Sequence, residues 1–259
     1  MTDSPLKVWL DRDGSLLRLR LARPRANLVD AAMISALDNA LSQHVSELDI
    51  CCVLLDAEGP HFSFGASVEE HLPEQCADML SSLHGLIINM LEYPVPILAA
   101  VQGQCLGGGL EVVCGASQIF AANDAKFGQP EIKLAVFAPA ASCLLPERIG
   151  QANAEDLLLS GRSISAGEAL RLGLVQCVDA NPEQAALGWF DQHLAGLSKS
   201  SLRFALRAVR LQTLQRIKEK IAQAERLYID ELMKTHDALE GLTAFVEKRK
   251  ANLNHNREN

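Results

Sequence analysis

Apolar and polar positions follow two different patterns along the first half of the chain. Short continuous apolar runs are typical of buried strands, and stretches with one apolar face at helical spacing predict surface helices. The predicted strands are 7–11, 15–21, 50–56, 97–101 and 118–122. Asp13–Gly14 predicts a hairpin turn between the first two strands. The predicted helices run from Asp30 to about Val45, from near Pro73 to before Pro94, and onward from Gly107–Gly109.

The second half of the chain has a different pattern. After about residue 140 the spacing predicts mainly helices, at 152–159, 166–172, 182–197 and 202–250, with one strand at 174–178. Strands that alternate with helices define an α/β fold. We therefore predict an α/β core over 1–198 and a C-terminal helical region over 199–259 that packs against other copies of the chain. We expect the tail NHNREN to be loose.

Composition narrows the class of protein. The 259 residues are 48% hydrophobic, which is enough to bury a sizeable core. The net charge of −8 argues against a nucleic-acid partner. No apolar run approaches the roughly 20 residues that cross a bilayer, so we expect no membrane partner. MTDSPLKVWLD lacks the basic and apolar segments of a signal peptide, and we expect a cytoplasmic protein.

The seven cysteines agree with that location. Their number is odd, no CxxC pair occurs, and most have apolar neighbours, as expected of buried thiols in a reducing cytosol. No His and Cys positions have the spacing of zinc ligands, so we expect no metal site.

Residues 104–116, QCLGGGLEVVCGA, suggest the first chemistry. Glycine destabilises a helix interior by about 1 kcal/mol relative to alanine, so three glycines where a helix begins require an explanation. A backbone without Cβ atoms lets a ligand approach peptide N–H groups, and a helix N-terminus offers unpaired donors. Such a site can hold an oxygen that becomes anionic during a reaction. Taken alone, the three glycines also fit a tight strand-to-helix turn.

Several segments in the same order carry a family resemblance. They are LARPRANLVD, FSFGAS, AAVQGQCLGGGLEVVCGASQIFAA, AKFGQPEIKL and LLLSGRSISAGEALRLGLVQCV. Together they resemble the enoyl-CoA hydratase/isomerase (crotonase) superfamily over nearly the whole chain. The resemblance implies a spiral of ββα units and C-terminal helices that build a homotrimer, often paired into a dimer of trimers. It implies no cofactor besides the coenzyme A of the substrate.

The resemblance also implies a site. The N–H groups of Ala66 and Gly108 match the two donors of an oxyanion hole for the thioester carbonyl of an acyl-CoA. Glu111 and Glu131 match the carboxylates that position a water molecule, one as general acid and one as general base. Without the resemblance, Glu111 is interpreted as a charge near a helix N-terminus and Glu131 as a surface residue in a turn. Further acyl-CoA-binding residues are expected at Arg23, Arg25, Ala26, Gly65, Ser67, Val68, Gly107, Pro130 and Phe137.

Two segments, GASVEEHLP and KLAVFAPAAS, depart from the common family pattern. They resemble a branch that hydrates cyclohexa-1,5-diene-1-carbonyl-CoA to 6-hydroxycyclohex-1-ene-1-carbonyl-CoA in anaerobic benzoyl-CoA degradation. The alternative is a hydratase or isomerase of straight-chain acyl-CoA. Val136 and Phe137 either shape a pocket for the ring or pack as ordinary core. We expect His61 and His71 to be solvated loop residues.

Overall fold

The structure, a computed structural model, describes residues 4–254. The strands within this range are β1 (Leu6–Asp11), β2 (Leu16–Leu21), β3 (Cys52–Ala57), β4 (Ile97–Val101), β5 (Gln104–Leu106), β6 (Gln118–Ala122), β7 (Lys126–Gly128), β8 (Ser163–Ser165) and β9 (Cys177–Asp179). A six-stranded sheet has the order β1-β2-β3-β4-β6-β9, and a three-stranded sheet has the order β5-β7-β8. Residues 255–259, most of the tail expected to be loose, lie outside the described range.

The large sheet confirms the predicted hairpin and the run of buried strands. β1 and β2 pair antiparallel, and Gly14 adopts a φ of 86° in the turn between them. From β2 to β9 every pairing in this sheet is parallel. Parallel strands need crossover connections, which place helices on both faces of the sheet. Because both faces are then covered, the strands carry apolar residues on both. All five residues of β4 are accordingly buried.

The small sheet was not predicted, because each of its strands has only three residues and no periodic pattern can be recognised over that length. β5 and β7 run parallel, and the amide of Gly107, just after β5, donates to the carbonyl of Gly128, the last residue of β7, at 3.0 Å. This pairing holds the glycine turn beside the segment that carries Glu131.

The α-helices are α1 (Ala31–His44), α2 (Cys76–Glu92), α3 (Gly108–Cys114), α4 (Pro139–Ile149), α5 (Gln151–Ser160), α6 (Ala166–Leu172), α7 (Pro182–His193), α8 (Lys199–Arg226) and α9 (His236–Val246). Short 3₁₀ helices span Glu69–His71, Pro130–Leu134 and Leu232–Lys234. As predicted, Asp30 caps α1, where its side chain accepts from the amide of Met33. The alternation of strands and helices confirms the α/β class.

The prediction that residues 202–250 are mostly helical is confirmed, but these residues do not form one continuous helix. After α8 the chain forms a π-helix over Leu227–Glu231 and then a 3₁₀ turn. Thr235 has an extended backbone and caps α9 by accepting from the amide of Ala238, so a new helix starts there. The strand expected at 174–178 begins only at Cys177, and α7 ends at His193 instead of residue 197.

The C-terminal region is helical, and α8 presents several apolar side chains to solvent. Within it only Ile217 and Ile221 are buried, whereas Phe204 and Val209 are exposed. Exposed apolar residues in this number are typical of surfaces that contact another protein chain. The division at residue 199 and the role in oligomerisation remain predictions. None of the described helices has the length and apolar character needed to span a membrane.

Candidate active site

One cavity contains most of the residues that the sequence singled out. It is a small cavity with a volume of about 70 Å³, and it opens to solvent. Of the expected site residues, its lining includes Gly65, Ala66, Val68, Gly107, Gly108, Glu111, Pro130, Glu131 and Phe137. The cavity lies between the loop after β3, the start of α3, and the 3₁₀ helix that follows β7.

One side of the cavity, which we call the amide wall, is formed by residues 65–66 and 107–108. The two segments touch so closely that a Cβ atom on Gly108 would lie 3.1 Å from the amide nitrogen of Ala66. A Cβ atom on Gly65, whose φ is +105°, would lie 3.1 Å from the carbonyl oxygen of Leu106. Within residues 4–254, neither the Ala66 nor the Gly108 amide has a hydrogen-bond partner. Two neighbouring donors are therefore available to one acceptor in the cavity.

Main-chain hydrogen bonds fix the amide wall. The amide of Ser63 donates to Gln104 at 3.0 Å, and the amide of Leu106 donates back to Ser63 at 3.0 Å. These bonds tie the loop after β3 to β5 on both sides of Ser63. The separation of the two free donors is consequently set by the backbone, and it does not depend on side-chain rotamers.

The other side, which we call the carboxyl wall, carries Glu111 and Glu131. Glu111 is 4% exposed, and the amide of Ala141 donates to its Oε1 at 2.8 Å. Burial raises the pKa of Glu111, while the nearby His84 and the amides of Ala140 and Ala141 act to lower it. The net result is a raised pKa for Glu111, and the Ala141 amide and His84 are among the groups that favour its charged form.

Glu131 has a different environment. Burial and the negative charge of Glu111 raise the pKa of Glu131 to about 8. Gln129 is buried beside it, and in the amide orientation that satisfies both groups its Nε2 lies 3.0 Å from each carboxyl oxygen. At neutral pH Glu131 is thus mainly protonated, which is the state required of a general acid.

The two walls meet directly. A Cβ atom on Gly107 would lie 2.6 Å from Oε1 of Glu131, so the carboxyl group rests against the glycine turn. Any larger residue at Gly107 would displace the carboxyl group, and its φ of +49° also favours glycine. The glycines therefore serve two purposes, since they expose amides and make room for an acid.

Much of the remaining lining of the cavity is apolar. Besides Phe137, its lining includes Leu80, Leu83, Leu134, Val136 and Leu242. Val136 is buried in a hydrophobic cluster against which Phe137 packs, so both residues belong to the core and also face the cavity. Leu242 comes from α9, so the C-terminal region contributes to the wall of the site.

Four expected binding residues lie outside this lining. Arg23 forms an ion pair with Asp30, where Nη1 is 2.7 Å from Oδ2. Arg25 is exposed, and its guanidinium has no ion-pair partner among the described residues. The carbonyl of Ala26 accepts from the amide of Phe64 at 2.9 Å, so this segment is attached to the amide wall. The hydroxyl of Ser67 donates to Glu69 at 3.3 Å.

The expectation that His71 is a solvated loop residue was wrong. Its ring lines the cavity, its Nδ1 lies 2.7 Å from the carbonyl oxygen of Ser67, and burial lowers its pKa. His61 is half-buried, with its ring centroid 4.9 Å from that of Phe64. The sequence suggested neither arrangement, since both depend on how the loop folds back on itself.

Gln129 and the apolar residues of α2 and α9 were not singled out by the sequence. Gln129 was visible in FGQPEIKLAV, and its position two residues before Glu131 was the available signal. Leu242 gave none, because a leucine on an amphipathic helix normally indicates ordinary packing. All seven cysteines are free thiols, and within residues 4–254 no group of three or more ligand residues is placed to hold a metal ion.

Comparison with known proteins identifies the family of the chain. Residues 11–256 match the model of the enoyl-CoA hydratase/isomerase family. The chain therefore belongs to the enoyl-CoA hydratase/isomerase family. It is 66% identical to a cyclohexa-1,5-dienecarbonyl-CoA hydratase of Thauera aromatica, over 96% of each chain. It is 33% identical to a probable enoyl-CoA hydratase of Mycobacterium leprae, over 92% of this chain and 93% of the relative.

Solved structures share the fold. An enoyl-CoA hydratase/isomerase from Pseudoalteromonas atlantica T6c superposes with a TM-score of 0.84 at 28% identity, covering 96% of this chain and 99% of that one. An enoyl-CoA hydratase from Bacillus halodurans gives a TM-score of 0.84 at 22% identity, covering 93% and 100%. The chain thus has the crotonase fold, as the resemblance implied.

Proposed function

We propose that this protein is a hydratase that adds water to cyclohexa-1,5-diene-1-carbonyl-CoA and gives 6-hydroxycyclohex-1-ene-1-carbonyl-CoA. The observation that carries the proposal is the cavity, in which two free amides face a pair of unlike carboxyl groups. The 66% identity to the Thauera aromatica hydratase supports the choice of acyl group. The apolar residues of the cavity lining suit a hydrocarbon ring.

The amide wall holds the thioester oxygen. When water adds to the β-carbon, an electron pair moves through the diene onto that oxygen and forms a dienolate. The Ala66 and Gly108 amides donate to the oxygen as its charge develops. In a dry site, removal of one such donor typically costs several kcal/mol of transition-state stabilisation.

The carboxyl wall moves the protons. Glu111, favoured as the anion by the Ala141 amide, takes a proton from water while the oxygen bonds to carbon. Glu131, protonated below a pKa of about 8, gives its proton to the far end of the dienolate. The new C–H and C–O bonds account for both parts of the water molecule. Transfer of the proton from Glu111 to Glu131 then restores the starting state.

The remaining parts of the proposal concern binding and assembly. The coenzyme A moiety would reach the surface near Arg23, Arg25 and Ala26, and Arg25 has a free guanidinium suited to a phosphate group. No cofactor beyond that coenzyme A is needed for this chemistry.

The exposed apolar side chains of α8 support assembly into a homotrimer or a dimer of trimers. The buried thiols support a cytoplasmic location.

The test is a comparison of substrates by the purified protein. Cyclic dienoyl-CoA, crotonyl-CoA and longer straight-chain enoyl-CoA esters are incubated separately, and the products are identified by mass spectrometry. We expect a gain of one water on the cyclic substrate, with kcat/KM at least about tenfold above that for crotonyl-CoA. Preference for crotonyl-CoA would favour the straight-chain alternative. An isomer without added water, or free thiol, would contradict a hydratase.

A further inference from the structure

Ser63 is a buried serine whose side chain the mechanism above leaves unused. It lies in the loop after β3 and pairs with Cys105 of β5 through an isolated parallel bridge. The residue is 0% exposed, and its Oγ accepts a hydrogen bond from the amide of Gly65 at 3.1 Å. Among residues 4–254, it is the one residue whose side chain forms a hydrogen bond with Gly65 or Ala66. The hydroxyl therefore contacts the amide wall directly.

Gly109, the third of the consecutive glycines, makes room for this serine. A Cβ atom on Gly109 would lie 2.6 Å from the Cβ and 2.8 Å from the Oγ of Ser63. Glycine is a poorer helix former than alanine, so its presence in α3 requires a reason other than helix formation. Just as Gly107 leaves space for the carboxyl group of Glu131, Gly109 leaves space for the Ser63 side chain between α3 and the loop.

Two hydrogen bonds hold the peptide units on either side of Gly65. The Gly65 amide donates to Ser63, and the Gly65 carbonyl accepts from the amide of Val29 at 2.9 Å. The peptide between Gly65 and Ala66 is trans, so its carbonyl and its amide point in opposite directions. The bond to Val29 thus directs the Ala66 amide to the opposite side. Because a glycine can rotate more freely than other residues, the direction of this amide depends on both bonds.

We propose that Ser63 is a positioning residue for the oxyanion hole, and that its hydroxyl holds the Gly65 amide so that the Ala66 amide is the one presented to the ligand. The inference rests on the proposed function insofar as the bound oxygen is that of a thioester. Main-chain bonds set the separation of the two segments of the amide wall, and the Ser63 hydroxyl limits rotation within one of them.

The energetic argument concerns the Gly65 amide. Without the Ser63 hydroxyl, this amide would be a buried donor that has lost its partner, which is costly in a folded protein. Rotation of the loop toward another acceptor would relieve that cost. The same rotation would turn the Ala66 amide away from the thioester oxygen, so one of the two donors would be weakened.

The variant Ser63→Ala removes the hydroxyl and keeps the Cβ atom. We expect kcat for hydration to fall by about 3- to 10-fold, as for loss of one buried hydrogen bond, with KM changed less than about twofold. The effect is mainly on kcat because the oxygen becomes anionic only as the reaction proceeds. Ser165→Ala is the matched control, since it removes a serine oxygen that accepts from the amide of Glu168 at 3.2 Å outside the cavity lining. It should leave both kinetic constants unaltered.

A second measurement needs no turnover and reports on the oxyanion hole itself. Cyclohexanecarbonyl-CoA, isotopically labelled at the thioester carbonyl, is bound to each variant, and its C=O stretching band is recorded by infrared difference spectroscopy. Hydrogen bonds to the carbonyl oxygen lower the frequency of this band. We expect a lower frequency than for the free ester in the parent chain, a smaller displacement in Ser63→Ala, and the parent displacement in Ser165→Ala.

Gly109→Ala alters the same contact from the side of α3. Its Cβ atom would displace the Ser63 side chain, so we expect losses of kcat and of band displacement comparable to those in Ser63→Ala. These losses should occur although alanine favours the helix. Gly188→Ala in α7, where an added Cβ meets no atom within 4 Å, is the control and should leave both quantities unaltered.

The outcomes separate the two proposals. A smaller band displacement in Ser63→Ala, in a protein that hydrates none of the tested substrates, supports the role of Ser63 and overturns the proposed function. An unchanged displacement, or a kinetic loss confined to KM, overturns the role of Ser63 and leaves the hydratase proposal intact. Thermal unfolding of all variants, at one protein concentration, verifies that each is folded before it is compared.

Discussion

The amide wall and the carboxyl wall face the same cavity but are built in opposite ways. The amide wall consists of neutral backbone groups that main-chain hydrogen bonds hold in place, and its side chains are as small as possible. The carboxyl wall consists of ionisable side chains removed from water, one of which has a pKa raised to about 8. The positions of the amides are therefore fixed by the backbone, whereas the carboxyl groups keep their reactivity at a cost in folding stability.

This difference predicts that the amide wall tolerates substitution least. Gly108→Val places a branched side chain where even a Cβ atom would lie 3.1 Å from Ala66. We expect kcat/KM to fall by at least about 10³-fold, since both the donors and the access to them are lost. Steady-state hydration and calorimetric binding of a saturated acyl-CoA measure the effect.

The control for that variant is Gly188→Val in α7, where an added Cβ meets no atom within 4 Å. It introduces the same residue into a helix at a site with free space. Acyl-CoA affinity in Gly108→Val equal to that of the parent chain would contradict the proposed oxyanion site.

On the carboxyl wall, the size of the side chain can be kept while its chemistry is removed. Glu111→Gln and Glu131→Gln should each lower kcat by at least about 10²-fold, as expected when general acid–base assistance is lost. Rates are measured at pH 7, where Glu131 is protonated in the parent chain. The exposed Glu155→Gln on α5 is the control. A variant that keeps its activity removes that glutamate from the mechanism.

The smallest expected effect concerns stability. The pKa of Glu131 is raised from 4.5 to about 8 by folding, so its contribution to stability is fully present below pH 4.5 and is lost as the pH rises through about 8. Glu131→Gln removes the buried charge. Between pH 5 and pH 9, the free energy of unfolding of the variant should therefore rise relative to that of the parent chain by on the order of 1–3 kcal/mol.

Urea unfolding at both pH values and one protein concentration measures this gain. Glu155→Gln should show no comparable dependence on pH, since its carboxyl group is exposed. A gain of equal size at pH 5 and pH 9 would mean that the effect comes from packing or from the altered contact with Gln129, and that the charge of Glu131 is not involved.

The same contrast explains how much the sequence could predict. The amide wall could be predicted from local sequence. Three glycines before a helix and a small-residue loop after a buried strand can both be recognised directly in the sequence. The environment of Glu131 is not local, because it depends on Gly107, Gly128 and Glu111, which the short sheet brings together. Strands of three residues carry no periodicity, and the sheet was missed for that reason.

The C-terminal region shows the same limit. Its apolar spacing correctly predicted that residues 202–250 are mostly helical, but the spacing did not show the interruption between Leu227 and Thr235. The break is decided by the Thr235 cap and by packing around Tyr228, which only the folded chain reveals. For the same reason, the sequence could not show that Leu242 lines the cavity.

Leu242 has a practical consequence for anyone who shortens or fuses this chain. A truncated protein that stops near residue 199 would lose Leu242 from the cavity lining, together with Ile217 and Ile221, which are buried in the main hydrophobic core. The last helix is accordingly a natural place to engineer tolerance for bulkier or substituted rings without altering the residues that form and break bonds.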